Sequence, residues 1–489
     1  MPPMPTMDMG RDLSGVIPEL ILAALVLILL PVGAFLPAAR QWPATALALV
    51  GLSAAGAVSV WMLTWPARTV FLDTYVIDPF AVYFKLLAIA ATGLVLLATV
   101  SWFRDVPFGS SVPAVLVLTC LGIIGLAASQ DLALIALFIQ LVTVGSYILV
   151  GVVKADRRAT EGALKLFLYS AAAGAVMLYG MSLLFGLTGT LRLPELAARL
   201  PAAPLLAVGT GLALLLVGYG FKITLVPFHS WAPDTYEGAP TAIAGYMAVG
   251  PKAAGLAVLV RTLVVAFPRD LLGWPEVLAV LAALTMTLGN VFALRQSNAK
   301  RLLAYSSIGQ AGYLLVGVAA AGRDPLAVPG LLVYLAVYLF MNLGAWLAVD
   351  ALERGSGSVH IADLAGQGRQ SPLAAAVLTL CLLSLAGFPP LGGFVGKTML
   401  LGAALGAHWD WLAIVLVANT ALSLYYYVRL IEPLYLRPAQ QPAPRAVPGG
   451  LRASLLILGA ATLVSGVLPD PLVALARYAA HLLLPTNVH

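Results

Sequence analysis

Long apolar runs, separated by short polar stretches, follow one another along almost the whole chain. The runs are continuous and do not alternate between apolar and polar positions, which favours helices and excludes a β-barrel. Most are close to the roughly 20 residues that a helix needs to cross a membrane. They predict fourteen spans, at 16–36, 44–64, 79–101, 112–129, 132–152, 162–187, 204–232, 239–264, 275–294, 302–320, 326–350, 372–405, 409–434 and 451–469.

These spans are expected to fall into four segments. The first holds three N-terminal spans, the second spans four to eight, the third spans nine to thirteen, and the fourth the last span and a tail. Their bounds are 1–111, 112–264, 265–437 and 438–489. A weaker apolar stretch at 471–484 is too short to cross and predicts a helix at the membrane surface.

Composition agrees with this pattern. Of the 489 residues, 61% are hydrophobic and 10% charged, and the mean hydropathy is +0.97. An ordinary soluble domain is about 25% charged, so a soluble enzyme and a disordered chain are excluded. The net charge of +6 includes no long basic cluster that could follow a nucleic acid backbone. The chain is therefore expected to be an all-α polytopic protein of the lipid bilayer.

The loop charges predict an orientation. Fourteen Lys and Arg residues fall in loops on the side of the first connection, and eight fall on the opposite side. Cytoplasmic loops carry the excess of basic residues in membrane proteins. The first connection is therefore expected to be cytoplasmic and both termini to lie outside, in the periplasm of a bacterium.

The loop count includes three arginines near the ends of predicted spans, Arg261, Arg429 and Arg452. Five basic residues remain inside the spans, and all are lysines: Lys85, Lys165, Lys222, Lys252 and Lys397. Arginine keeps its charge at any accessible pH, whereas a desolvated lysine can release its proton, so this choice indicates proton handling. The alternative is a long side chain that reaches back to the membrane surface. That alternative is favoured for Lys165, and for Lys85 the two interpretations are equally good. Lys222, Lys252 and Lys397 lie too deep for it.

Two of the lysine-bearing spans contain helix breakers. They are the run at 204–232, with glycines and a proline around Lys222, and the run at 372–405, in which Gly387–Gly393 precedes Lys397. Prolines and glycines at this density interrupt a regular helix. They are the seventh and the twelfth spans, five places apart in the order, so the second is inverted relative to the first. Paired interrupted spans of opposite orientation are typical of inverted-repeat transporters. A scaffold with proline kinks is the alternative.

No acidic residue falls in the middle of a predicted span. The span lysines are therefore expected to lack a carboxylate partner from this chain. Their partners would be water, another subunit or uncharged polar side chains, of which the candidates are Gln140, Tyr147, Gln310, Asn342 and Asn419. This shortage of counter-charge predicts a larger assembly.

Several sequence runs within residues 75–437 are specific enough to indicate a family. They are His229–Pro240, Val249–Ala254, Thr285–Asn290, Lys300–Ser307, Gly387–Lys397 and Tyr425–Arg429. They resemble subunit N of bacterial respiratory complex I. The resemblance implies one of the antiporter-like membrane subunits of a proton-pumping NADH–quinone oxidoreductase, with two inverted five-helix repeats and broken helices seven and twelve.

The same resemblance implies roles for four residues. Lys222 matches the lysine of the central site in span seven, and Lys252 matches the connecting lysine in span eight. Lys397 matches the lysine of span twelve near the exit path, and His229 matches a histidine beside the first break. These lysines would carry proton transfer through the middle of the membrane.

Two positions depart from the family pattern. The family usually places a glutamate in span five to pair with the seventh-span lysine, and this chain has Gln140 there, seven residues before Tyr147. An amide can hydrogen-bond a lysine but cannot supply its counter-charge. Gln310 stands where the family often has a histidine. Gln140, Gln310 and Tyr147 are therefore expected only to support the lysines.

The implied activity is proton translocation coupled to quinone reduction in the bacterial cell membrane. NADH, flavin, iron–sulfur clusters and quinone would lie on or near other subunits, because this chain has no Rossmann fingerprint and its two cysteines, Cys120 and Cys381, form no ligand set. The expected partners are adjacent antiporter-like and small membrane subunits. The alternatives are a subunit of a multiple-resistance-type cation/proton antiporter and the membrane arm of an energy-converting hydrogenase.

Overall fold

The computed structural model describes residues 9–35, 42–102, 106, 109–268, 272–439, 447–481 and 483. In chain order the described helices are α1 (Met9–Gly15), α2 (Ile17–Phe35), α3 (Trp42–Met62), α4 (Pro79–Thr99), α5 (Val112–Ala128), α6 (Leu132–Val150), α7 (Arg157–Thr188), α8 (Leu193–Arg199), α9 (Leu205–Ile223), α10 (Ala232–Gly238), α11 (Thr241–Ala266), α12 (Trp274–Ala293), α13 (Ala299–Ala319), α14 (Ala327–Ser356), α15 (Gln367–Gln370), α16 (Pro372–Ala386), α17 (Gly392–Gly406), α18 (Asp410–Leu436), α19 (Gly449–Val467) and α20 (Asp470–His481). Two short strands, β1 (Arg68–Val70) and β2 (Tyr75–Ile77), form an antiparallel hairpin.

Thirteen of the described helices are long and apolar enough to cross a membrane. The run predicted as the twelfth span consists instead of two shorter helices, α16 and α17, with residues 387–391 between them. The prediction of an all-α polytopic membrane protein is confirmed. The four-segment division and the inverted repeat stay predictions.

Three helices form the centre of the bundle. Nearly every residue of α11, α13 and α14 is buried, because each is surrounded by other helices. Outer helices such as α2, α7 and α18 expose large apolar side chains, for example Leu27, Tyr179 and Ile414. A helix that is apolar all round and exposed on one side suits contact with lipid or with another membrane subunit.

The first lysine-bearing run differs in detail from its prediction. Helix α9 continues unbroken through Gly218 and Gly220 and ends at Ile223, so the glycines around Lys222 do not break it. They allow close packing instead, because a Cβ on Gly218 would lie 2.5 Å from the sulfur of Met177 in α7. The chain turns after Ile223 and resumes as the short helix α10.

The β-hairpin and the C-terminal helix lie at the same end of the bundle. The β1–β2 hairpin lies between the end of α3 and the start of α4, and Tyr478 of α20 donates a hydrogen bond to the carbonyl of Leu63 at 3.0 Å. The surface helix predicted at 471–484 corresponds to α20. The hairpin was not predicted, because three-residue strands leave too short a pattern.

One residue assigned to the loops belongs to the core. Arg261 was counted with the outward-facing loop charges, but it lies in α11 and is only 1% exposed. Its guanidinium makes two hydrogen bonds, of 2.8 and 3.0 Å, to the two carboxylate oxygens of Asp78. A paired arginine can be buried where a lone one cannot, which explains the error in the loop count.

Candidate functional site

Lys222 lies in the last turn of α9 and is 6% exposed. Its Nζ donates a hydrogen bond of 3.0 Å to the hydroxyl of Thr143 in α6. Its aliphatic stem packs against Gly255 of α11, where an added Cβ would lie 3.2 Å from the lysine Cγ. Gly255 is one helical turn from Lys252, so Lys222 packs against α11 about one turn from this second lysine.

Gln140 does not serve as the partner that was expected for Lys222. Its side chain is exposed on the outside of α6, and its Nε2 lies over Gly174 of α7, 2.9 Å from where a Cβ on that glycine would be. Thr143, one turn further along α6, is the side chain that faces Lys222. The family resemblance gives the place of Gln140 along α6, but it does not define which face of this helix the side chain lies on.

Lys252 is 1% exposed on α11 and contacts a serine of α13. Its Nζ donates to both the carbonyl oxygen and the hydroxyl of Ser307, each at 2.6 Å. The Ser307 hydroxyl lies 2.9 Å from the hydroxyl of Tyr338 in α14. Ser307 and Tyr338 were not identified from the sequence, although the Lys300–Ser307 run contains the serine.

Lys397 lies in α17 and is 4% exposed. Its Nζ donates a 2.8 Å hydrogen bond to the carbonyl of Leu385 and lies 4.4 Å from the ring centre of Tyr313. The Leu385 carbonyl is free to accept because α16 ends one residue later, and the last carbonyls of a helix have no partner within it. The break between α16 and α17 therefore supplies the hydrogen-bond acceptor for Lys397.

Gln310 joins the Lys397 region to a buried tyrosine. Its Nε2 donates to the same Leu385 carbonyl at 3.3 Å and to the hydroxyl of Tyr427 at 3.1 Å. The Tyr427 hydroxyl is 2.5 Å from that of Ser306, the neighbour of Ser307. One series of hydrogen bonds thus leads from Lys252 to Ser307. A second leads from Lys397, by way of the Leu385 carbonyl, Gln310 and Tyr427, to Ser306, the neighbouring residue of α13.

The other two predicted supporting residues lie apart from these bonds. Tyr147 packs edge-on against Phe167 of α7, with ring centres 5.7 Å apart. His229 lies in the turn between α9 and α10. Within the described residues neither side chain hydrogen-bonds to a site lysine.

Lys85 corrects the expectation that the span lysines have no carboxylate from this chain. Its Nζ lies 2.7 Å from Oε1 of Glu19, and the Tyr75 hydroxyl donates a 2.6 Å hydrogen bond to the same oxygen. Glu19 lies in the first turn of α2, and the packing of α2 against α3 and α5 brings this helix end to the lysine. The two residues are 66 positions apart in the sequence, so this pairing could not be predicted from the sequence.

Lys165 also has carboxylate partners, near the end of its helix. Its Nζ lies 2.6 Å from Asp234 and 2.8 Å from Glu161, and Arg301 lies 2.8 Å from Asp234. Partial burial raises the pKa of Asp234, but the hydrogen bonds from Lys165 and Arg301 outweigh this effect and leave the pKa below its usual value. This partly exposed cluster ties α7 and α13 to α10 and accords with a surface role for Lys165.

In the described part of the chain, no group of three His, Cys, Asp or Glu residues is placed to hold a metal ion. Cys120 and Cys381 are both buried and free.

The chain is similar in sequence to known membrane proteins. Residues 129–423 match the family described as "NADH:quinone oxidoreductase/Mrp antiporter, TM". The chain is 38% identical to NADH-quinone oxidoreductase subunit N of Trichlorobacter lovleyi, over 96% of this chain and 98% of that one. It is 40% identical to subunit N of Heliobacterium modesticaldum, over 84% and 86%.

Solved structures show the same fold. A chain of respiratory complex I from Thermus thermophilus is 32% identical, with a TM-score of 0.81 over 94% of this chain and all of that one. A chain of the Mrp complex from Dietzia is 23% identical, with a TM-score of 0.87 over 97% and 98%, and at that identity shows the fold alone. The chain therefore belongs to the NADH:quinone oxidoreductase/Mrp antiporter family of membrane subunits, and within it to the subunit N proteins of NADH-quinone oxidoreductase.

Proposed function

We propose that this chain is a proton-translocating membrane subunit of an NADH–quinone oxidoreductase, in which protons pass along Lys222, Lys252 and Lys397. The observation that carries the proposal is the set of hydrogen bonds that reaches from Lys252 and from Lys397 to adjacent serines of α13. Ionisable side chains are costly inside a membrane and are retained there for function.

The groups between Lys252 and Lys397 are chemically suited to proton transfer. Hydroxyls both donate and accept hydrogen bonds, so Ser307, Ser306 and Tyr427 can each pass a proton on by reorienting. In this proposal water carries the proton between the two serines, and between the Tyr427 hydroxyl and Lys397, because a backbone carbonyl and an amide cannot relay it. Gln310 holds the Tyr427 hydroxyl with its amide nitrogen and accepts from the Tyr334 hydroxyl with its amide oxygen. Its role in this path is to position the tyrosines.

Water completes the path between Lys222 and Lys252 in this proposal. In the described residues, no side-chain hydrogen bond joins the two lysines, although their helices are in contact. Buried polar atoms of Trp231, Asn342 and Trp346 also have no hydrogen-bond partner among the described residues. Such atoms in native proteins are commonly satisfied by ordered water.

The redox chemistry belongs to other subunits in this proposal. NADH, flavin, iron–sulfur clusters and quinone would be bound there, and this chain would contribute proton translocation in the bacterial cell membrane, with both termini outside. Its partners would be the adjacent membrane subunits of the complex. A subunit of a cation/proton antiporter is the second candidate, favoured by the fold of the Dietzia Mrp chain, but the identity to subunit N proteins is higher. A gene neighbourhood encoding an NADH dehydrogenase arm would distinguish the first candidate.

Alanine substitution of single lysines in the assembled complex tests the proposal. Lys222→Ala and Lys397→Ala are expected to lower the number of protons pumped per NADH oxidised, because each removes a proton carrier from the path. Lys154→Ala, at an exposed lysine outside the spans, is the matched control and should pump normally. Pumping is measured with a pH-sensitive dye in inverted membrane vesicles. Equal ratios in all three variants would contradict the proposal.

A further inference from the structure

Two buried ion pairs lie near the start of α4, at the end of the bundle that holds the β-hairpin. Asp78, the N-cap of α4, pairs with Arg261, and Lys85, in the second turn of α4, pairs with Glu19. All four side chains are at most 10% exposed. The two pairs differ in how fully they are hydrogen-bonded, and this difference indicates different roles.

The Asp78–Arg261 pair has a partner for each carboxylate oxygen. Both oxygens accept hydrogen bonds from the guanidinium, and Oδ1 also accepts from the backbone N–H of Ala81. The Nε of Arg261 donates to the carbonyl of Ala127 at 3.2 Å. Because arginine keeps its proton at any accessible pH, this pair is a fixed structural contact.

The Glu19–Lys85 pair lacks such partners. Oε1 of Glu19 lies 2.7 Å from Nζ of Lys85 and accepts a hydrogen bond from the Tyr75 hydroxyl at 2.6 Å. Oε2 of Glu19 is buried and has no hydrogen-bond partner among the described residues, and the Lys85 ammonium, with three N–H donors, makes no hydrogen bond to a further described group. Buried charges with unmade hydrogen bonds are costly and call for a functional explanation.

Moving one proton within this pair removes both charges. Transfer from Nζ of Lys85 to Oε1 of Glu19 leaves a neutral amine and a neutral carboxylic acid, which cost less to bury than the two ions. Tyr75 is a fixed donor, because burial, and then the neighbouring Glu19 carboxylate, raise the pKa of its hydroxyl well above the usual range. The mobile proton therefore lies on Lys85 or on Glu19.

Polar groups connect this pair to the helix that carries Lys252. Thr92 lies two turns after Lys85 on α4, and its hydroxyl is 3.1 Å from the hydroxyl of Tyr246 in α11. Lys252 follows Tyr246 by six positions in the same helix. In the other direction, Glu19 lies in the first turn of α2 and its side chain is 10% exposed, whereas Lys85 is wholly buried. Glu19 is therefore the member of the pair nearer to the surface.

We propose that Glu19 and Lys85 form a further proton-carrying pair, in which Lys85 takes up a proton from the side of α11 and Glu19 releases one towards the end of the bundle that holds the β-hairpin. Water carries the proton from Lys252 to Tyr246, and from Thr92 to Lys85 over about 10 Å along α4. After the internal transfer, Lys85 gains the next proton and Glu19 loses its own, which restores the ion pair. The inference rests on the proposed function, because the protons come from the lysine path.

Lys85→Arg tests the proposal, because arginine keeps the ion pair but does not release its proton. We expect the assembled complex to oxidise NADH and to translocate fewer protons per electron than the parent. Lys165→Arg is the matched control: this lysine also pairs with carboxylates but is 36% exposed, so it should keep the parent's ratio. The parent's ratio in Lys85→Arg, or an equal loss in both variants, would overturn the proposal.

Arginine is larger than lysine, so a second pair of variants separates the loss of the proton carrier from overpacking. Glu19→Gln/Lys85→Met removes both charges at similar volume, and the complex should assemble with a lowered ratio. Asp78→Asn/Arg261→Met removes the neighbouring ion pair, which carries no mobile proton, and should keep the parent's ratio. Equal ratios in the two double variants would contradict the proposal.

Infrared difference spectra recorded during NADH oxidation give a readout that a structural ion pair would not produce. The parent is expected to show the C=O stretch of a protonated carboxyl group, sensitive to deuterated water, that is missing from Glu19→Gln and retained in Asp78→Asn. The same band in Glu19→Gln and the parent would show that Glu19 does not take up the proton.

The same vesicle assay distinguishes failure of this inference from failure of the proposed function. If Lys222→Ala and Lys397→Ala lower the proton-to-electron ratio and Lys85→Arg does not, only the role of the Glu19–Lys85 pair is refuted. The parent's ratio in all three variants would refute both.

Discussion

Tyr427 is the side chain on which the proposed path between Lys252 and Lys397 depends most closely. Its hydroxyl contacts both Ser306 and Gln310, at 2.5 and 3.1 Å, and connects the α13 serines to the Leu385 carbonyl that Lys397 also contacts. The Tyr427 hydroxyl accepts from the Gln310 amide and can donate to Ser306, so in the proposed path it exchanges a proton with Ser306 on one side and with water on the Lys397 side.

Tyr427→Phe removes this hydroxyl and keeps the ring. We expect NADH oxidation to continue with a lower proton yield, because the path through this subunit is interrupted while packing is preserved. Tyr425→Phe, an adjacent but exposed tyrosine, is the control. Equal proton yields in the two variants, measured in the same vesicles, would show that the Tyr427 hydroxyl is not on the path.

Asp78 and Arg261 form a buried ion pair whose role is structural. Asp78→Asn leaves the arginine buried without its counter-charge, a loss expected to cost about 3–5 kcal/mol. Asparagine caps a helix as well as aspartate does, so the cap of α4 is preserved. Combining it with Arg261→Met should recover most of the loss. Thermal unfolding in detergent measures both variants, and equal destabilisation of the single and double variants would refute this assignment.

At the residue scale, the sequence predicts which side chains are unusual but not what they contact. The five span lysines could be identified because charge is rare in an apolar run. Their partners could not, since Glu19 reaches Lys85 only through the packing of α2 against α3 and α5. Thr143, not Gln140, contacts Lys222. Which face of α6 is turned towards this lysine depends on how the neighbouring helices pack.

At the element scale, the interruption between α16 and α17 is built from glycines with different tasks. Gly387 ends α16 with a φ of +84°, a conformation that residues with side chains rarely adopt. Gly393 packs so closely against Ser384 that an added Cβ would overlap the serine carbonyl oxygen. The prolines and glycines of the run at 372–405 correctly predict this break. The glycines of α9 do not break their helix and instead allow it to pack closely against its neighbours.

Gly393→Ala is expected to displace α17 and with it Lys397. Overpacking of this kind costs typically about 1–3 kcal/mol, so we expect both thermal stability and proton yield to fall. The matched control is Gly186→Ala in α7, where a Cβ would meet nothing within 4 Å and should not destabilise the helix. Wild-type stability and proton yield in Gly393→Ala would show that the tight approach is not required.

At the scale of the whole molecule, the apolar pattern was sufficient to predict the class of fold and nearly every span. Thirteen predicted spans correspond to single described helices, because a helix that crosses a membrane needs about 20 mostly apolar residues. The β1–β2 hairpin could not be predicted in this way, since elements outside the membrane are free of that constraint. The buried Arg261 also shows that a charge near a span end can belong to the core.

The proton-to-electron ratio of the assembled Lys222→Ala/Lys397→Ala double variant tests the central claim most directly. The account predicts a complex that assembles and oxidises NADH but translocates fewer protons per electron than the parent, because both ends of the lysine path are removed. Assembly is checked by native electrophoresis in the same membranes. A fully assembled double variant with the parent's ratio would contradict the account.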